Sequence, residues 1–163
     1  MNRVRPLMLV LLILLSCPPL SQAAIYDRVV AFVDTQAITL SEFEEQFKKT
    51  TALSPRSTEE EVLDTMVNRI LLLKEAKKYR IEAPTSAEVL KEYIDLKVRS
   101  FIRVSDSAVE DFYKKNTSEF GGREYEKVRG EIEAYLTEKM LNEKLKEILR
   151  DLRKSAYIKI QLK

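Results

Sequence analysis

The 163-residue chain contains no histidine, no tryptophan, a single cysteine and three glycines. Each shortage removes a class of chemistry. Without an imidazole near its pKa, no Ser-His-Asp or Cys-His nucleophile site can be assembled. One cysteine and no histidine cannot close a zinc site. Three glycines, at 121, 122 and 130, supply neither a GxGxxG turn nor a P-loop, so no nucleotide cradle is expected. Carboxylates could still act as acids, bases or ligands for a hard metal. The 26 Asp and Glu are dispersed among 28 Lys and Arg without a ligand-like cluster, which reads as solvated helix faces. No cofactor and no metal are expected.

The first 23 residues have a different character. Arg3 and Arg5 precede Leu7–Leu15, which has no polar residue; Pro18 and Pro19 follow, then Ser21-Gln22-Ala23. A basic start, a short apolar stretch and a small-residue site are the layout of a secretory signal peptide, with cleavage after Ala23. The apolar stretch is far short of the roughly 20 residues that span a bilayer. A rival reading takes Leu14-Leu15-Ser16-Cys17 as a lipobox with Cys17 lipidated. Soluble secretion is favoured, because two prolines directly follow the cysteine and the folded pattern begins almost at once after Ala23. Removal of this segment leaves residues 24–163, with no cysteine and 26 residues of each charge. That chain needs no disulfide in an oxidising compartment, and its balanced charge gives no support for nucleic-acid binding.

Arg28–Asp34 is β-branched and aromatic and reads as a short strand, followed by a tight connection at Thr35 and Gln36 and a brief resumption at Ala37-Ile38. Three Thr-x-x-Glu capping boxes then mark helix starts: Thr39/Glu42, Thr58/Glu61 and Thr85/Glu88. The spacing predicts a first helix to about Lys49, a loop over 50–57, and a second helix over 58–79 whose wide apolar face suggests a central helix with several neighbours. A third helix carries its apolar pattern from Val89 to Phe101. Ser105 caps a short helix through Tyr113, and Gly121-Gly122 breaks the chain. The longest helix follows, from about Glu124 to Lys154. Gly130 inside it implies close helix packing, and Lys139 interrupts the stripe enough to exclude a coiled coil. Ala156–Leu162 alternates as a strand does. An isolated strand leaves its amides unpaired, so it is expected to pair with 28–34. The fold class is mainly α, closed by this pairing of the two chain ends.

Four stretches, DRVVAFVDTQAITLSEFEEQF, VLDTMVNRILLLKEAKKYRI, FIRVSDSAVEDFYKKN and LRKSAYIKIQL, occur in the order found in SurA-type periplasmic chaperones and the related PpiC/PrsA-like folding factors. The chain resembles the SurA N-terminal domain over nearly all of residues 24–163. The resemblance implies a mostly helical domain completed by its C-terminal segment. It also implies a periplasmic, ATP-independent holdase for unfolded envelope proteins, especially outer-membrane protein precursors. Two departures stand out. No parvulin prolyl-isomerase domain is present, so an enzyme is not expected. The stretch between Tyr79 and Tyr93 is also shorter than in the family. Binding non-native polypeptide needs an apolar groove with adaptable residues, and Met66, Tyr93, Phe101, Tyr113 and Met140 are the client-binding candidates, with ordinary core as the alternative for each. Other readings are an envelope assembly protein that binds one folded partner, a homodimer that buries the groove, and, last, a prolyl isomerase.

Overall fold

A computed structural model describes residues 27–162. The expected signal peptide, its cleavage after Ala23 and the lipobox reading of Cys17 lie outside the described residues.

Strand β1 (Val29–Val33) turns back through Asp34 and Thr35 into β2 (Gln36–Thr39), antiparallel to it. Asp34 has φ +53°, a left-handed conformation that aspartate tolerates better than most residues. The register slips between Val29 and Ala31, which lets consecutive Val30 and Ala31 both be buried. On its other side β1 pairs antiparallel with β3 (Ile158–Ile160), through Ala31↔Ile160, Phe32↔Lys159 and Val33↔Ile158. The expected pairing of 28–34 with 156–162 is therefore present. Its C-terminal strand is confined to three residues, and the short β2 completes a sheet of order β2-β1-β3.

Five α-helices complete the described fold: α1 (Leu40–Leu53), α2 (Glu59–Lys78), α3 (Ser86–Lys97), α4 (Asp106–Lys115) and α5 (Tyr125–Ser155). All three threonine capping boxes form, the glutamates of α1, α2 and α3 accepting from the N-cap amides of Thr39, Thr58 and Thr85 at 2.9, 2.9 and 3.0 Å. Each is worth about 1 kcal/mol. Ser105 caps α4 through the Ala108 amide. Gly121 and Gly122, at φ +57° and +80°, make the break before α5.

Helix α5, about 45 Å long at 1.5 Å per residue, is the spine on which three apolar clusters form. The first joins the sheet, α1 and α2 around Val30, Val33, Ile38, Phe43, Leu63 and Val67. The second joins the end of α2, α3 and the second half of α5 around Leu72, Ala76, Tyr93, Val98 and Leu141. The third joins α4 to the start of α5 around Val109, Phe120, Val128 and Ile132. Arg153 also ties α5 to α2. Its Nε donates to Asn68 Oδ1 at 2.9 Å, and its Nη2 lies 2.9 Å from Asp64 Oδ1, an ion pair too far off axis to be a hydrogen bond. No described helix is long and apolar enough to cross a membrane.

Three local expectations are corrected. Helix α1 continues to Leu53 rather than stopping near Lys49; Thr51 is accommodated inside it, its hydroxyl satisfied by donating back to Phe47 O (2.9 Å). Helix α3 stops at Lys97, and the apolar pattern continues through a 3-10 turn, Arg99–Phe101. Gly130 is exposed, and a Cβ there would meet nothing within 4 Å, so it serves no close helix packing.

Candidate functional site

The apolar pattern running from α3 into the 3-10 turn has two outcomes. Val98 turns inward and is 2% exposed, while Phe101 turns outward and is 76% exposed. This turn is held from several sides. Arg99 donates from Nε to Asp95 Oδ1 at 3.1 Å and from Nη1 to Glu138 of α5. Ser100 Oγ donates to Leu96 O at 2.7 Å, and Arg103 Nη1 donates to the carbonyls of Ser100 and Ile102, each at 2.8 Å. The outward Phe101 is therefore displayed by a fixed frame.

Phe101 and Lys97 sit where two open concavities meet, of about 420 and 590 Å³. The first runs between the 3-10 turn and α5 and includes Val98, Ile102 and Met140. The second continues toward the C-terminal end of α5, past Tyr79, Tyr93, Ile148 and Leu152 to Ser155. Sharing Lys97 and Phe101, they lie end to end along α5 as a two-part trough. From Met140 to Ser155, at 1.5 Å per residue, it follows α5 for about 22 Å. That accommodates roughly six or seven residues of extended polypeptide at about 3.3 Å each.

The floor belongs to the second apolar cluster, where Tyr93 is 4% exposed. Burial pushes the Tyr93 phenol up to about 12, with the neighbouring Glu75 and Tyr79 adding to the rise, so it is neutral at any ordinary pH. The Tyr79 ring stands 6.1 Å from that of Tyr93, and Lys97 Nζ lies 4.3 Å above the Tyr79 centroid. Tyr79, Phe101 and Met140 are the walls left in water. The rim is charged and only partly paired within itself, through Glu75–Lys78 (2.6 Å) and Lys144–Glu147 (2.7 Å); Asp151 pairs with Lys154 outside the lining (3.1 Å), and Glu143 lines the rim with no ion pair among the described residues. An apolar channel with a charged, partly paired rim suits an extended apolar segment.

The structure brings Tyr93, Phe101 and Met140 together in this trough and places the other two candidates elsewhere. Met66 is half-buried against the first cluster. Tyr113 belongs to the third, stacked on Phe120 with centroids 5.4 Å apart and donating to Arg123 O at 2.8 Å. Tyr79, Ile102 and Ile148 complete the trough and were not among the candidates. Tyr79 could have been found as an aromatic residue at the end of α2, where the polar sequence Lys77-Lys78-Tyr79-Arg80 gives it nothing local to pack on.

A larger concavity, about 1000 Å³, lies between the β1–β2 turn, α2 and the segment 81–86. None of the large, strongly exposed apolar side chains lines it, whereas Tyr79, Phe101 and Met140 all line the trough. Three large exposed apolar side chains, Tyr79, Phe101 and Met140, thus converge on the trough, while Leu53, Leu96, Tyr135, Tyr157 and Ile160 lie exposed outside it. No family model matches the chain, and no curated protein is detectably similar to it.

Proposed function

We propose that this chain is an ATP-independent holdase of the bacterial periplasm, similar to the N-terminal domain of SurA-type chaperones, that captures extended apolar segments of non-native envelope proteins in the trough between α3 and α5. The observation that carries this reading is the fixed display of Phe101, Tyr79 and Met140 to water along one open channel whose floor is already a packed core. A monomeric domain gains nothing from leaving these groups exposed, whereas a client segment that covers them gains their transfer from water. The length suits a segment of six or seven residues, within the span of one strand of an outer-membrane barrel. Binding of this kind requires no catalytic residue, cofactor or nucleotide. The periplasmic assignment is supported by the layout of residues 1–23 and by the family resemblance.

The test is an aggregation assay on a urea-unfolded outer-membrane barrel diluted into buffer, with the mature chain present at increasing ratios and no ATP. Suppression that saturates near one or two chains per client is expected. Absence of suppression across all ratios refutes the holdase reading. Capture of one folded envelope protein without suppression would replace it with an assembly partner.

A further inference from the structure

Two charges that face the trough have no ion-pair partner among the described residues. Glu75 pairs with Lys78, Lys144 with Glu147 and Asp151 with Lys154. Lys97 and Glu143 remain, both exposed and both lining the first concavity. They do not close on each other. The Lys97 ammonium lies 4.3 Å above the Tyr79 ring instead. Their levels along α5 also differ. Lys97 lines both concavities, so it faces their junction, where the lining of α5 passes from Glu147 to Ile148. Glu143 stands four to five residues nearer the start of α5, an axial offset of about 6–7 Å at 1.5 Å per residue. Two residues of an extended chain, at about 3.3 Å each, span the same distance. Residues two apart in such a chain share a face. A segment that sends its apolar side chains to the floor therefore turns the alternate ones to the rim, and two successive ones come level with Glu143 and Lys97.

We infer that the trough selects amphipathic, strand-forming segments that carry opposite charges two residues apart, the basic one against Glu143 and the acidic one against Lys97. This inference rests on the holdase reading and names the class of client. Charge complementarity chooses the occupant. A segment with two like charges meets one rim residue of its own sign, and a segment without charges gains from neither. Lys97 has a second effect. When its ammonium turns to a client carboxylate, it uncovers the Tyr79 ring for an apolar client side chain. Lys97 and Glu143 are thus specificity-determining residues, while Tyr79, Phe101 and Met140 supply the apolar contact.

The experiment measures the affinity of the full mature chain for nine-residue peptides of alternating valine and threonine. The two central threonines are replaced by lysine and aspartate in either order, by two lysines, by two aspartates or by two serines. One exposed ion pair is worth up to about fivefold in affinity. The wild type is expected to prefer the better mixed peptide over the serine peptide by about fourfold to tenfold at low salt, the scale of two such pairs, with the preference shrinking as salt is added. The same two charges on adjacent residues point to opposite faces, and that peptide is expected to lose the preference. Lys97→Glu makes both rim charges acidic and is expected to prefer two lysines. Glu143→Lys makes both basic and is expected to prefer two aspartates. The double variant exchanges the charges and is expected to recover the preference for the mixed peptide. Both residues are exposed, so each variant is expected to melt within a few degrees of wild type. Equal affinity of wild type for the mixed and serine peptides at low salt, or preferences unmoved by the two reversals, overturns the inference. If all peptides then still bind and require Phe101, the charge inference fails and the trough reading stands. If the preferences follow the variants but Phe101→Ser binds every peptide as tightly as wild type, the apolar trough reading fails. No binding of any peptide overturns both.

Discussion

Replacing Phe101 by serine separates client binding from folding. Full burial of a phenylalanine side chain stabilises by about 3 kcal/mol at most, and Phe101 is 76% exposed. The fold therefore draws only about a quarter of that amount from it, roughly 0.5–0.7 kcal/mol, or a shift in melting temperature of about 2–3 °C. The remaining three quarters of the ring is available to a client. Covering it contributes up to about 2 kcal/mol, equivalent to a tenfold to thirtyfold difference in Kd. The assay is fluorescence anisotropy of a labelled, urea-unfolded barrel segment titrated with wild-type and Phe101→Ser protein, with thermal denaturation run alongside. A loss of at least tenfold in affinity at nearly unchanged melting temperature is expected. Affinity within twofold of wild type, at the same stability, refutes the assignment of Phe101 to the binding surface. Tyr93→Ser makes a poor substitute, because a 4% exposed ring on the core floor costs about 3–5 kcal/mol to remove and binding would be lost with the fold.

Two further predictions concern the frame. Gly130→Ala is expected to stabilise the protein by up to about 1 kcal/mol, since the position is helical, exposed and free of neighbours for a Cβ; a lower denaturation midpoint would contradict the placement of that residue. Asp34 accepts from Lys74 Nζ and from the Tyr157 amide, which hold its carboxyl below the ordinary 3.8. A carboxylate with a depressed folded-state pKa contributes stability that is present above the unfolded value and lost as pH falls through the folded one. Wild type is therefore expected to melt above Asp34→Asn at neutral pH, with the gap closing as the pH drops below 3.8; a constant gap down to the acid limit would show that the carboxylate charge is not what anchors β3.

The local chemistry of this chain was legible wherever one residue and its near neighbours settle the matter. The capping boxes of Thr39, Thr58 and Thr85 are of that kind, because hydroxyl and carboxylate lie three residues apart and satisfy amides in the same turn. The closing of the sheet by the C-terminal strand followed from unpaired backbone groups, which needed only a second strand to pair with. The end of α1 was misread because Thr50 and Thr51 suggest a loop by composition, while the Thr51 hydroxyl bonds back into the helix. The end of α3 was hidden because the apolar spacing runs on past Lys97, although Val98 leaves helical geometry at φ −124°, ψ −63°. For the site, the pattern identified apolar residues but not which cluster would absorb each one. Met66 and Tyr113 are taken up by the first and third clusters. Tyr93, Phe101 and Met140 meet because α3 and α5 share the second. Which stripe of a wide amphipathic helix stays uncovered depends on tertiary packing, and Phe101 was distinguished from Val98 only by the turn that Arg99 and Arg103 hold in place.

The most direct measurement is a crosslinking map on the intact mature chain with an unfolded outer-membrane barrel. A photoreactive amino acid is placed singly at Tyr79, Phe101 or Met140 in the trough, and at the exposed Leu53 or Tyr135 outside it. The account predicts strong client adducts from the three trough positions and little from the other two. Equal yields at all five sites, or adducts concentrated outside the trough, would contradict it.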